Sequence, residues 1–354
     1  MKIVVDRNIP FIEKPISALG RVVMLPGSEI TSETICDTDI LVTRTRTRCD
    51  ASLLDDSPCR FIGTATIGTD HIDLPYCASR GITVANAPGC NAPAVGQWVL
   101  AAIRTHIGPN APLADVTLGV IGAGNVGSIL IRWAEGLGMR VLVNDPPLQT
   151  SAPDRYTYSS LADLARECDA ISIHTPLTLA GPHPTHHLID RDFIASLRRS
   201  PLLLNAARGP VTDTRALLEG LDSGLIGAVA IDCWEGEPDI DPRLLSQALI
   251  ATPHIAGYSR QGKIRATQMV LDSLSAYLNL ESPLQADAPA ISPVPDTVSE
   301  EMISYDILAD THALRSNPSL FESLRNNYHL REEPGVAAEK ITDARKIYAH
   351  FCFG

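Results

Sequence analysis

The sequence is poor in aromatic residues, at 5%, and poor in positive charge, with 29 Lys and Arg against 41 Asp and Glu. The formal charge of −12 excludes the broad basic surface of a general nucleic-acid binder. It still allows a local basic pocket for an anionic substrate. The eight cysteines include no CxxC pair, so neither a metal site nor a disulfide framework is expected. Reduced, mostly buried thiols in a cytoplasmic protein are the simpler reading. No apolar run approaches the roughly 18 residues of a membrane span. The opening MKIVVDRNIP is too short an apolar run for a secretory signal, which is therefore not expected. There is no short-period repeat and no low-complexity tract. What is present is 354 residues with 45% hydrophobic content, enough for more than one domain with an α/β core.

Short apolar runs alternate with helical stretches from the start. Lys2–Val5, Arg21–Met24, Ile40–Thr43, Phe61–Gly63 and Thr83–Ala85 read as strands. Thr31–Cys36, Ala51–Asp55 and Ile72–Ser79 read as helices between them. Alternation of this kind predicts a parallel sheet covered on both faces. A long apolar helix over 91–106 follows, and then a second series of strands: Leu118–Ile121, Val141–Val143, Ala170–His174, Leu202–Asn205, Ala228–Asp232 and Leu249–Ala251. The fold class expected is α/β, with two doubly wound parallel-sheet domains and a small C-terminal α+β domain. The helical stretch Gln261–Leu280 would return the chain to the first layer, and a proline-rich linker leads to the last region. The expected boundaries are 1–92 with 258–283 for a split substrate domain, 93–257 for an inserted Rossmann domain, and 284–354 for the last domain.

Around Gly122-Ala-Gly124-Asn-Val-Gly127 the order is strand, glycine turn, helix, strand, acid. That is the order of a dinucleotide-binding βαβ unit. Gly122 would allow the tight turn, Gly124 the close approach of a pyrophosphate, and Gly127 close packing of helix on strand. The phosphates would lie at the helix N-terminus. Asp145, after the second strand, would bind the ribose hydroxyls. A carboxylate there repels a 2′-phosphate, and Pro146 and Pro147 offer no Arg to receive one, which favours NAD over NADP. A glycine-rich turn that binds no nucleotide is the alternative.

Three later stretches each follow a predicted strand, where open α/β sheets bind their ligands. They are NAARG (Asn205 to Gly209), DCWEGEP (Asp232 to Pro238) and PHIAGY (Pro253 to Tyr258). Together they bring an Arg, a carboxylate and a His. Oxidation of a 2-hydroxy acid needs such a set. His254 would take the hydroxyl proton. Glu237 would orient the imidazole and stabilise its protonated form. Arg208 would clamp the substrate carboxylate. Glu235 competes with Glu237 for the role of orienter, and each residue alone could be an ordinary loop residue.

The succession GxGxxG, HTPLT (His174 to Thr178), NAARG, DCWEGEP and PHIAGY resembles the D-isomer-specific 2-hydroxyacid dehydrogenases. GTATIGTDHID (Gly63 to Asp73), APGCNA (Ala87 to Ala92) and TPLTLAGPHPTHHL (Thr175 to Leu188) are similar to a branch that acts on a phosphorylated 2-hydroxy acid. FESLRNNYHLRE (Phe321 to Glu332) is similar to that branch's dimerisation region, which implies a homodimer. The resemblance implies catalytic roles for Arg208, Glu237 and His254. It implies NAD contacts at Asn125, Val126, Asp145, Thr175, Ala206, Arg208, Asp232 and Gly257, and substrate contacts at Thr45, Thr66 and Tyr258. Asp232 is expected to bond the nicotinamide carboxamide. Position 45 is Thr where relatives are expected to carry Ser, and both bring a hydroxyl.

For the substrate phosphate, the loop Arg44-Thr45-Arg46-Thr47-Arg48 is the candidate, with Arg44 and Arg46 foremost. An exposed edge with no ligand is the alternative. The C-terminal cations Arg315, Arg325, Arg331 and Arg345 have no role legible in the sequence. Other D-2-hydroxyacid dehydrogenases, acting on phosphoglycerate or glyoxylate-type acids, remain open, as does an NAD-sensing binding protein.

Overall fold

The computed structural model describes residues 1–335; Arg345 and the rest of 336–354 lie outside the described residues. The chain forms two compact units, one of Met1–Asn91 with Ser259–Ser292, the other of Ala92–Tyr258 with the chain from Pro293.

In the first unit five strands, β1 (Lys2–Asp6), β2 (Arg21–Leu25), β3 (Ile40–Thr43), β4 (Phe61–Thr64) and β5 (Thr83–Ala85), make a parallel sheet in the order β2-β1-β3-β4-β5. Its central strands, IVV, ILVT and FIGT, are buried throughout, as parallel strands covered on both faces must be. Alternate side chains serve opposite faces. Val4, Leu41 and Ile62 join Ile35, Leu54 and Cys77 on one side. Ile3, Val5, Ile40, Val42 and Phe61 join Val270, Leu271 and Leu274 on the other. Those last three come from the helix Arg260–Tyr277, which packs on the sheet opened by Lys2. A short helix, Glu13–Ser17, not among the expected elements, carries Pro15 in its first turn. A proline in the first turn of a helix loses no intrahelical hydrogen bond, so it is tolerated.

The second unit holds six parallel strands: β6 (Thr117–Ile121), β7 (Arg140–Asn144), β8 (Ala170–Ile173), β9 (Leu202–Asn205), β10 (Ala228–Ile231) and β11 (Ile250–Ala251). Their order is β11-β10-β9-β8-β6-β7. The sheet therefore reverses direction of growth between β6 and β8, where a doubly wound fold opens a crevice at the strand ends. The helix Ala92–Ile107 lays Trp98, Val99, Ala102 and Ile103 on one face, against Leu118, Val120, Leu202, Leu204 and Ala230. Ile171, Ile173, Leu203, Val229 and Ile231 face the other core.

The expected C-terminal α+β domain contributes, as far as Gly335, the helices Glu300–Ile303, Ile307–Ser316 and Phe321–Asn326. These add to the second unit's cores. Ile303 and Ile307 enter one, and Leu314 and Phe321 the other.

Candidate active site

The glycine turn exists because β6 meets the helix Asn125–Gly136 with almost no space between them. A Cβ on Gly127 would stand 2.0 Å from the Gly122 carbonyl oxygen. Gly122 itself has φ of 91°, which glycine adopts freely and other residues rarely do. Gly124 is different: a Cβ there would meet nothing within 4 Å. The backbone is bare at that point, and no side chain caps the helix that begins there. Open space beside an uncapped helix N-terminus suits a pyrophosphate.

Two neighbours fit the same ligand. Asp145 accepts the Leu148 amide at 2.9 Å and the Ala123 amide at 2.8 Å. Its carboxylate is thus fixed beside the glycine turn and caps the helix Pro146–Ser151, whose prolines occupy the first turn. Thr175, just after β8, buries its hydroxyl with no hydrogen-bond partner among the described residues. Such a group costs about 1–3 kcal/mol unless something bonds it, and a bound dinucleotide would.

The three later stretches sit at the ends of β9, β10 and β11, and the structure draws them together. Asn205, fully buried, donates to the Arg208 carbonyl at 3.0 Å and accepts the Ala207 amide at 3.1 Å, which sets the turn carrying Ala206 and Arg208. Arg208 donates to the Ala207 carbonyl at 2.8 Å. A Cβ on Gly209 would lie 2.0 Å from the Trp234 carbonyl oxygen. Glycine after Arg208 therefore lets the arginine loop touch the loop that holds Glu237.

Geometry gives the two carboxylates different partners. Glu237 Oε1 lies 2.6 Å from His254 Nδ1, and its other oxygen accepts the Trp234 amide at 3.1 Å. Burial pushes the Glu237 carboxyl up, but the His254 bond, its charge and the Trp234 amide outweigh this and hold it below its ordinary value. Glu235 faces away, 2.7 Å from His187 Nε2, and accepts the Thr214 amide at 3.0 Å. With Nδ1 on Glu237, His254 keeps Nε2 for a substrate.

His254 has φ of 57°, a conformation that needs support in a non-glycine residue. The support is Asp232. Its carbonyl accepts the His254 amide at 3.0 Å. Its buried carboxylate accepts the Ile255 amide at 2.7 Å, the Ala256 amide at 3.0 Å and the Thr252 hydroxyl at 2.6 Å. Burial raises the carboxyl's pKa, against the lowering effect of His254 and of these donors. The expected role for Asp232 was a cofactor contact; the geometry adds that it holds the histidine turn. Thr252 is held in turn by Trp98, whose indole donates at 3.2 Å. Thr252 and Trp98 have no role legible in the sequence, because nothing in a one-dimensional pattern pairs residues so far apart.

Gly257 and Tyr258 complete that turn, the Tyr258 amide donating to Ile255 at 2.8 Å. The proposed substrate residues of the first unit are less uniform than their sequence suggests. Arg44 donates from Nε to the fully buried Asp6 at 3.1 Å. Thr47 spends its hydroxyl on the Gly27 carbonyl at 3.0 Å, and Arg48 pairs with Asp50 at 2.6 Å. Thr45 and Arg46 are exposed. Thr66 bonds Thr64 at 2.7 Å and donates to the Gly68 carbonyl at 2.9 Å.

Residues 94–256 match the family model described as D-isomer specific 2-hydroxyacid dehydrogenase, NAD binding domain. An erythronate-4-phosphate dehydrogenase of Bacteroides thetaiotaomicron is 42% identical over 339 residues, 94% of this chain and 97% of that protein. One of Azotobacter vinelandii is 48% identical over 271 residues, 76% of this chain and 71% of that one. Among solved structures, a protein of Thermus thermophilus superposes with a TM-score of 0.68 at 27% identity, covering 82% of this chain and 100% of that one. The D-lactate dehydrogenase of Aquifex aeolicus, complexed with NAD and lactic acid, gives 0.66 at 24% identity, covering 82% of this chain and 100% of that one, a likeness of fold.

Proposed function

The chain belongs to the D-isomer-specific 2-hydroxyacid dehydrogenases, in their erythronate-4-phosphate branch, and on that premise we propose that it oxidises 4-phospho-D-erythronate to (R)-3-hydroxy-2-oxo-4-phosphobutanoate. The step belongs to pyridoxal 5′-phosphate synthesis. The observation that carries the reading is the Glu237–His254 pair, 2.6 Å apart, beside the Arg208 loop and at the strand ends that also carry the dinucleotide turn.

Bound NAD would supply the acceptor for the C2 hydride. Gly122, Gly124, Asn125, Val126 and Gly127 would hold its pyrophosphate, Asp145 its ribose, and Thr175, Ala206, Asp232 and Gly257 the remainder. His254 Nε2 takes the proton of the C2 hydroxyl as the carbonyl forms. Glu237, kept ionised, balances the imidazolium that results. Arg208 binds the C1 carboxylate and favours the developing carbonyl. Thr45, Thr66 and Tyr258 are the proposed further substrate contacts, with Arg44 and Arg46 for the phosphate.

A cytoplasmic homodimer is part of the reading. It is supported by the likeness of Phe321–Glu332 to a dimerisation region and by the seven free cysteines among the described residues. No helix among the described residues is long and apolar enough to cross a membrane. The test is NADH formation with 4-phospho-D-erythronate against D-3-phosphoglycerate. A kcat/KM at least about tenfold higher for the first is expected; parity, or a preference for phosphoglycerate, overturns the substrate assignment.

A further inference from the structure

We propose that Arg331, in the C-terminal region and far from the catalytic stretches in sequence, is a positioning residue for His254. It acts by fixing the backbone of the turn Ile255–Tyr258 from the side opposite Asp232. This rests on the dehydrogenase reading above.

Arg331 is a charged residue with only 9% of its surface exposed, and its guanidinium has five N–H groups to satisfy. All five find acceptors. Nε donates to Gln97 Oε1 at 3.1 Å. Nη1 donates to the Ile255 carbonyl at 3.1 Å and the Tyr258 carbonyl at 3.2 Å. Nη2 donates to the Ala94 carbonyl at 2.8 Å and to the Ala256 carbonyl. The guanidinium carbon also lies 4.7 Å from the centre of the Tyr305 ring. Three of the five acceptors are consecutive or near-consecutive carbonyls of the turn that follows His254.

The amides of that turn go the other way. Ile255 and Ala256 donate to the buried Asp232 carboxylate. The turn after His254 is thus bonded by a buried anion at its N–H groups and by a buried cation at its C=O groups, and the Ile255–Ala256 peptide is held from both sides. Neither charge touches the other, so the pair is completed through the backbone it grips. His254 leads into this clamp with a left-handed φ of 57°. A turn whose donors and acceptors are fixed by two charges keeps its ring aligned with Glu237, and a displacement of about 1 Å in such a group can cost on the order of a hundredfold in rate. Arg331 touches no reacting atom. The C-terminal region thereby reaches the proton-transferring group through the backbone alone.

Arg331→Lys keeps the charge but offers three donors on a point ammonium in place of a planar fork. The readout is the NMR titration of the His254 imidazole in the full-length chain, assigned by its loss in His254→Gln. It is followed together with kcat for 4-phospho-D-erythronate. Leu314→Ala, fully buried in the helix Ile307–Ser316, serves as the control for simple loss of C-terminal packing. In Arg331→Lys the titration midpoint should fall by about half a unit or more, as the ring loosens from Glu237. Its kcat should fall about 10- to 100-fold with KM within about threefold. Leu314→Ala should move neither. An unmoved midpoint in Arg331→Lys, or an equal movement in Leu314→Ala, overturns the proposal. If Arg331→Lys does not fold, Gln97→Met, which removes one acceptor and keeps the arginine, decides: a smaller fall of the midpoint in the same direction supports the proposal, and none overturns it. The titration needs no turnover, so a wild-type chain inert toward the acid would refute the substrate reading and leave this one to its own result.

Discussion

Replacing Glu237 by Gln removes one charge and leaves the shape of the side chain. In the folded chain that carboxylate lies 2.6 Å from His254 Nδ1, and each partner's side chain is 26% exposed. Two unit charges about 4 Å apart between centres interact by about 4 kcal/mol at an effective dielectric of about 20. A quarter of each group meets water, so roughly half of that survives, about 2 kcal/mol of attraction that the substitution removes. With His254 as the proposed base, the acid limb of the kcat/KM profile should move to lower pH. A weaker base and a freer ring should also lower the plateau about 10- to 100-fold. The assay is NADH formation from about pH 5 to about pH 9 at constant ionic strength, with Glu235→Gln alongside. Glu235 is bonded to His187, so its variant should keep the wild-type limb. An unmoved limb in Glu237→Gln, or an equal shift in Glu235→Gln, would refute the assignment of the orienting carboxylate.

Other outcomes follow from the same geometry. His254→Ala should lose most turnover while NAD still binds, which equilibrium titration of the cofactor would check; near-normal kcat would exclude it as the base. Gly127→Ala puts a methyl group 2.0 Å from the Gly122 carbonyl oxygen, so the turn must open, and the Kd for NAD should rise at least about tenfold. Arg46→Ala should raise KM for the phosphorylated acid more than for an unphosphorylated analogue. Arg44→Ala is a poorer test, because it also strips the buried Asp6 of a cation and should cost about 3 kcal/mol or more of stability by denaturant titration. Asp310 is held up at about 6 by burial, against the Tyr328 hydroxyl that donates to it. Its folded pKa exceeds its unfolded value of 3.8, so stability is full below about pH 4 and falls as pH rises towards about 6. Asp310→Asn should therefore raise Tm at pH 8 and leave it unchanged near pH 4; no difference between the two would contradict this.

Much of this molecule is local and was therefore legible in one dimension. β3, β5 and β9 begin and end where their apolar runs do, and the other strands differ by a residue or so at their ends. A strand buried on both faces must be apolar at every position, so composition alone betrays it. The glycine turn is equally local. Gly122, Gly124 and Gly127 answer to a backbone that closes on itself within six residues, and the acid at Asp145 follows one strand later. Arg208, Glu237 and His254 could be proposed because each follows a strand, where such sheets place their chemistry.

What the linear pattern could not contain is which groups meet. Glu235 and Glu237 are two residues apart and equally acidic. Only the path of the backbone after β10 sends one to His254 and the other to His187. The arginine loop offers Arg44 and Arg46 alike for the phosphate in one dimension, yet Arg44 is drawn inward by the buried Asp6 while Arg46 stays exposed. Arg331 looked like one more charge in a polar tail. Its meaning lies in five acceptors contributed by Ala94, Gln97 and the turn after His254, residues more than seventy positions earlier in the chain. Local sequence dictates secondary structure because its hydrogen bonds are short in range. The pairing of a buried charge is set by whatever else the fold has buried beside it, and that is known only once the chain has closed.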